Sequence, residues 1–219
     1  VHILMLLAAL GTGRASAQRY SFRSYDSAAG LENLVVRTLV QDSDGFIWAG
    51  TGNGAFRYDG ERFRPFRVAE GLPGNSVRAL HVDAAGTLWV GSQGSGLAYF
   101  ARGRFHKFPL LVSAAFMQPG TICSGAGFVY VATGSGLAVI APAQGQTPPK
   151  LLHVARRPGA TGREAEVFGV HRAKSGTIWA GCGTALCRLD GDTLVEVPSP
   201  GLPSANWEAL VVDAEGDLW

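Results

Sequence analysis

Apolar residues in this chain come in short runs, each closed by a cluster of glycine, aspartate, asparagine or serine, with no helical stretch between them. Val36 to Gln41 and Val77 to Val82 are β-rich runs leading into a turn, and they predict the innermost strand of a repeating unit. The turns are Asp42-Ser43-Asp44-Gly45, Asp83-Ala84-Ala85-Gly86 and Asp213-Ala214-Glu215-Gly216. In each, the leading carboxylate can accept backbone N–H bonds while the glycine takes positive φ. A second strand carries an aromatic residue and ends in a glycine-rich turn such as Gly50-Thr51-Gly52-Asn53-Gly54, and a third follows at Ala55 to Tyr58 or Leu97 to Phe100. Asp59-Gly60 and Asp190-Gly191 are hairpin signals. They introduce a fourth strand, Arg62 to Val68 or Arg104 to Phe108, whose apolar and polar residues alternate as in a half-buried edge strand.

The unit repeats. Gly45, Gly86, Gly127, Gly176 and Gly216 each precede an aromatic by three positions, at Trp48, Trp89, Tyr130, Trp179 and Trp219, and the aromatics are 41, 41, 49 and 40 residues apart. Four short strands in each such period predict an all-β chain, a β-propeller of four-stranded blades with about four and a half blades present. A β-sandwich would not repeat its own sequence. Residues 142–166, with Pro148-Pro149 and Arg156-Arg157, carry the extra length of the 49-residue interval and read as an enlarged surface loop. The last copy stops at Trp219, so residues 18–219 read as the N-terminal part of a larger propeller, truncated within its fifth repeat. An aromatic at one strand position in every blade is expected to pack between neighbouring sheets.

Composition changes the picture in two places. With 47% hydrophobic and 16% charged residues the chain can bury a core, and a net charge of +2 without a basic patch argues against nucleic acid as a partner. Residues 1–17 resemble a signal peptide: a nearly all-apolar run, Val1 to Leu10, precedes small residues ending in Ala15-Ser16-Ala17. Cleavage before Gln18 is expected, with an uncleaved hydrophobic anchor as the alternative, and the mature chain is expected to be exported.

Candidate chemistry is sparse. Cys182 and Cys187 lie five positions apart across a glycine-rich turn, so a hairpin disulfide and buried free thiols, with Cys123 as a third, are the two alternatives. His81, His106, His153 and His171 lack the close pairing of a zinc site, and no nucleophile elbow is present, so no metal, cofactor or catalytic set is expected. One polar feature follows the repeat: Arg37, Arg78 and Glu208 stand eleven residues before the aromatic, near the start of the innermost strand, with Asn33, Asn75 and Asn206 close by. That rim could offer hydrogen bonds to an acidic or sugar-like ligand; the alternative is that these residues bond neighbouring blades.

The run Ser76 to Ser92 with Gly94 to Leu97 closely resembles the two-component regulator propeller repeat, as do residues 33–60 and the Gly-Leu-Pro pieces at 71–73 and 201–203. The resemblance covers roughly residues 25–219; the third unit departs from it, with Ser124 and Tyr130 in place of Asp and Trp. It implies an extracytoplasmic, periplasmic sensor, followed by another β-domain, an inner-membrane helix and a cytoplasmic output such as a histidine kinase or diguanylate cyclase. A small-molecule or saccharide ligand and a homodimer formed through the full-length protein are expected as partners. The alternatives are a secreted propeller enzyme such as a lyase, or a scaffold for protein contacts.

Overall fold

The computed structural model of the chain describes residues 22–110, 118–198, 200–201, 206–207, 210 and 213. The expected leader at 1–17, and Glu208, Gly216 and Trp219, lie outside the described residues. Among the described residues, sixteen strands form four separate antiparallel sheets, each of four strands in chain order. The first holds β1 (Val36–Gln41), β2 (Ile47–Thr51), β3 (Gly54–Tyr58) and β4 (Phe63–Phe66), and the second β5 (Val77–Val82), β6 (Leu88–Ser92), β7 (Gly96–Ala101) and β8 (Arg104–Phe108). The third holds β9 (Ile122–Gly125), β10 (Phe128–Thr133), β11 (Gly136–Ala141) and β12 (Lys150–Ala155), and the fourth β13 (Val167–Arg172), β14 (Ile178–Cys182), β15 (Ala185–Asp190) and β16 (Thr193–Glu196). The first strands of successive sheets are neighbours, β1 beside β5, β5 beside β9 and β9 beside β13, which makes each sheet a blade. Among the described residues no helix is long and apolar enough to cross a membrane.

The blades hold together through the second strand of each. Side chains alternate across a strand. In β6, Trp89 therefore joins the cluster shared with the third blade, through Val129, Val131 and Ile140, while Leu88 and Val90 join the one shared with the first, beside Trp48 and Phe66. Both faces are covered, so these strands read as continuous apolar runs rather than alternating ones. The expected packing of the repeated aromatic between sheets is observed: Trp48, fully buried, makes edge-on contacts with Phe100 and Phe105 of the second blade, centroids 5.1 and 5.7 Å away. Gly50 is what lets the next inner strand approach. A Cβ there would fall 2.5 Å from Thr38 Cγ2 and 2.7 Å from Val77 Cγ1.

The aspartate of the repeat does two things. Asp83 Oδ1 accepts from the N–H groups of Ala85 and Thr87, which shapes the turn, and Oδ2 accepts from the Trp89 indole at 2.8 Å. Asp42 treats Asp44, Phe46 and Trp48 in the same way, with the indole bond at 2.7 Å. One buried carboxylate thus ties the β-turn to the interblade aromatic. In the third unit both partners change together, to Ser124 and Tyr130, and in the fourth Ala173 replaces the aspartate, where Ser175 bonds Thr177 instead.

Two features of the outer strands differ from the sequence expectation. Residues 142–166 are not one surface loop: they contain β12, the fourth strand of the third blade, preceded by a hairpin closed by Gln144 and Thr147 and followed by a 3-10 turn at Gly162–Ala165. Pro148-Pro149 hid a strand that begins at the next residue, Lys150. In the first blade, β4 ends at Phe66 rather than Val68, because Glu70 accepts the Arg67 N–H at 2.7 Å and winds Val68–Glu70 into a 3-10 turn capped by Gly71.

Candidate functional site

The rim residues singled out from the repeat lie where the inner strands begin. Val36 pairs with Thr51 and Thr38 with Gly50, so Arg37 is an extra residue; Val77 pairs with Ser92 and Ala79 with Gly91, so Arg78 is another. Each is the bulged residue of its strand. A bulge interrupts the alternation of side chains and re-aims one of them, and such bulges favour rims and binding sites. Adjacent β1 and β5 thereby carry two arginines at one end of the inner strands. In the third and fourth units the same repeat position is Pro119 and Phe168, so the cationic stretch is confined to the first two blades.

The two arginines differ in their surroundings. Arg37 is exposed. Arg78 is half-buried and donates from Nη2 to Gln93 Oε1 at 2.6 Å, within its own blade rather than to a neighbour, while its buried Nε has no partner among the described residues. The asparagines belong to the turns entering the inner strands. Asn33 Oδ1 accepts from the Val35 N–H at 2.9 Å, and the Asn75 side chain accepts from Val68 N–H at 3.3 Å. The Asn75 carbonyl accepts from Gly54 N–H at 2.7 Å, joining the first blade to the strand entering the second. Asn206 is exposed, and Glu208 lies outside the described residues. Of the residues named, the structure brings Arg37 and Arg78 to one rim and gives Asn33 and Asn75 local structural duties.

At the opposite end of the inner strands a second polar group spans blades. His81 Nε2 lies 2.8 Å from Ser124 Oγ, and burial holds the imidazole below its usual value. Ser124 is available because it has replaced the aspartate that elsewhere serves the aromatic; this pairing was missed in the sequence, where the exchange reads only as degeneracy. Burial pushes the Cys123 thiol up to about 12, with Arg172 opposing it. Cys182 and Cys187 are free thiols, the second of the two alternatives. Their strand register explains it. Cys182 faces Ala185 and Cys187 faces Ala180, so the cysteines are diagonal neighbours rather than directly opposed. Their mutual hydrogen bond and burial raise the Cys182 thiol. Among the described residues no group of histidine, cysteine and carboxylate side chains converges to hold a metal ion.

Four-stranded blades arranged around neighbouring inner strands, each pinned by an aromatic between sheets, define the class: the chain is a β-propeller. Within that class, residues 30–53 and 71–94 match the family model of the two-component regulator propeller. Both bulged arginines fall inside those segments.

Among solved structures, the extracellular domain of a protein assigned as a hybrid two-component system of B. thetaiotaomicron is 21% identical with a TM-score of 0.65, over 84% of this chain and 26% of that one. A streptogramin B lyase is 17% identical with a TM-score of 0.60, over 85% of this chain and 62% of that one. PorZ, a surface component of the type-IX secretion system of Porphyromonas gingivalis, is 18% identical with a TM-score of 0.54, over 84% and 30%. At these identities the likeness is one of fold. The chain spans about a quarter of the length of the two-component domain. No curated protein matches it.

Proposed function

We propose that this propeller is the extracytoplasmic sensing part of a membrane-bound signalling protein whose cytoplasmic output is a histidine kinase or a diguanylate cyclase. The observation that carries the reading is the match of residues 30–53 and 71–94 to the two-component regulator propeller. The rim formed by Arg37 and Arg78 is the recognition surface in this proposal. Two guanidinium groups on adjacent strands suit an acidic or sugar-like ligand, since guanidinium pairs with carboxylate through two parallel hydrogen bonds. The Arg78 Nε, a buried donor with no partner among the described residues, gains one when such a ligand binds.

Relay requires that the ligand bind one arrangement of the protein better than another. The test uses the full-length protein, with and without Arg37→Ala and Arg78→Ala, in cells exposed to a panel of acidic and neutral saccharides. The parent changes its phosphorylation or cyclic-dinucleotide level with an acidic saccharide and the double variant does not. An unresponsive parent, or a variant that responds equally, contradicts the reading.

A further inference from the structure

The first and second blades meet through the same turns as the second and third, but the two junctions do not close alike. At the first, Ser43 of the β1–β2 turn sits against Gly86 of the β5–β6 turn, where a Cβ would lie 2.8 Å from the Ser43 hydroxyl. At the second, Gly127 takes the place of Gly86, and a Cβ there would meet nothing within 4 Å. Ala84 stands where Ser43 stood. The space left is a cleft of about 420 Å³, within the range that accepts small molecules. Three blades wall it: Ala84 and Ala85 from the second, Ser124, Phe128 and Pro142 from the third, and Arg172 from the fourth.

Arg172 is the cation of the cleft. Its stem lies on the Gly125 backbone, where any Cβ would collide with it, so the side chain is held across the junction by the absence of one. Among the described residues Arg172 forms no ion pair; the arginines that do are Arg67, Arg157 and Arg188. Asp83, the carboxylate bordering the cleft, has one oxygen committed to backbone N–H groups and the other to the Trp89 indole. Burial lowers the proton affinity of His81 behind Ser124, with Asp83 opposing it. Phe128, 37% exposed, and Pro142 give the cleft an apolar wall.

We propose that this cleft binds a small organic carboxylate, with the anion on Arg172, the apolar or ring body against Phe128 and Pro142, and the Ser124 hydroxyl as an additional hydrogen-bonding group. The site lies at the end of the inner strands opposite Arg37 and Arg78, so it stands or falls independently of the rim. The test is saturation-transfer difference NMR on the full-length protein with benzoate, using benzyl alcohol as the uncharged control. The variants are Arg172→Gln, which removes the charge, and Ala84→Trp, which fills the cleft from an exposed position. Benzoate binds the parent, binds Arg172→Gln at least about tenfold more weakly as expected for a lost charge-assisted bond, and does not bind Ala84→Trp. Benzyl alcohol gives no comparable signal. Absence of benzoate binding to the parent, equal binding to the parent and both variants, or benzyl alcohol binding as tightly as benzoate overturns the proposal.

Discussion

A single carboxylate at the turn of a blade answers to two structures at once. Asp83 satisfies two backbone donors and an indole at a position only 6% exposed, so Asp83→Ala leaves three donors unserved and is expected to cost about 3 kcal/mol in chemical denaturation. The fourth blade offers the converse. Ala173 occupies the aspartate position six residues before Trp179, and Ala173→Asp is expected to raise stability by about 1 kcal/mol. Half of this was legible in the sequence: an Asp-x-x-Gly turn announces its backbone bonds through residue type alone. The indole bond was not, because it depends on the direction in which β6 turns its tryptophan. His81 adds a pH dependence. Burial lowers its affinity for protons below the ordinary value of 6.5, only partly offset by Asp83, so the unfolded chain binds a proton that the folded one resists. Stability is therefore complete above that value and falls as the pH drops through it. Between about pH 7.5 and about pH 5.5 the denaturation midpoint of His81→Gln is expected to fall less than that of the parent.

At the scale of the element, bulges and glycines place what the period only counts. The spacing of eleven residues located Arg37 and Arg78 near the start of the inner strand; that each is a bulged residue follows from pairing with β2 and β6, which no single strand encodes. The Gly-Leu-Pro piece has a physical reason as well. Gly71 caps a 3-10 turn at φ 97°, and a Cβ on it would collide with the Phe105 carbonyl of the next blade. Gly71→Ala combines left-handed backbone with that collision and is expected to cost more than about 2 kcal/mol, read as a shifted denaturation midpoint. The outer strands were harder to read. The fourth strand of each blade has one buried face and varied connections, so β12 was lost among prolines and arginines, whereas the inner strands β1 and β5 were legible to the residue.

Across the whole molecule, the repeat specifies the fold because the second and third blades bury both faces of their second strands against neighbours, and so the same short motif must recur wherever two blades meet. Recognition obeys no such constraint. The rim arginines occur in two blades only, and the Arg172 cleft arises beside Ser124, where the aspartate of the motif is lost, so irregularities of the repeat, rather than the repeat itself, mark the candidate sites. The sensor reading joins these sites to an output on the far side of a membrane. The most direct test is to read the coding sequence of the whole protein beyond residue 219. The account predicts the remaining blades, a membrane-spanning helix and then a histidine kinase or diguanylate cyclase domain; a reading frame that completes the propeller and ends with neither a membrane span nor a signalling domain would contradict it.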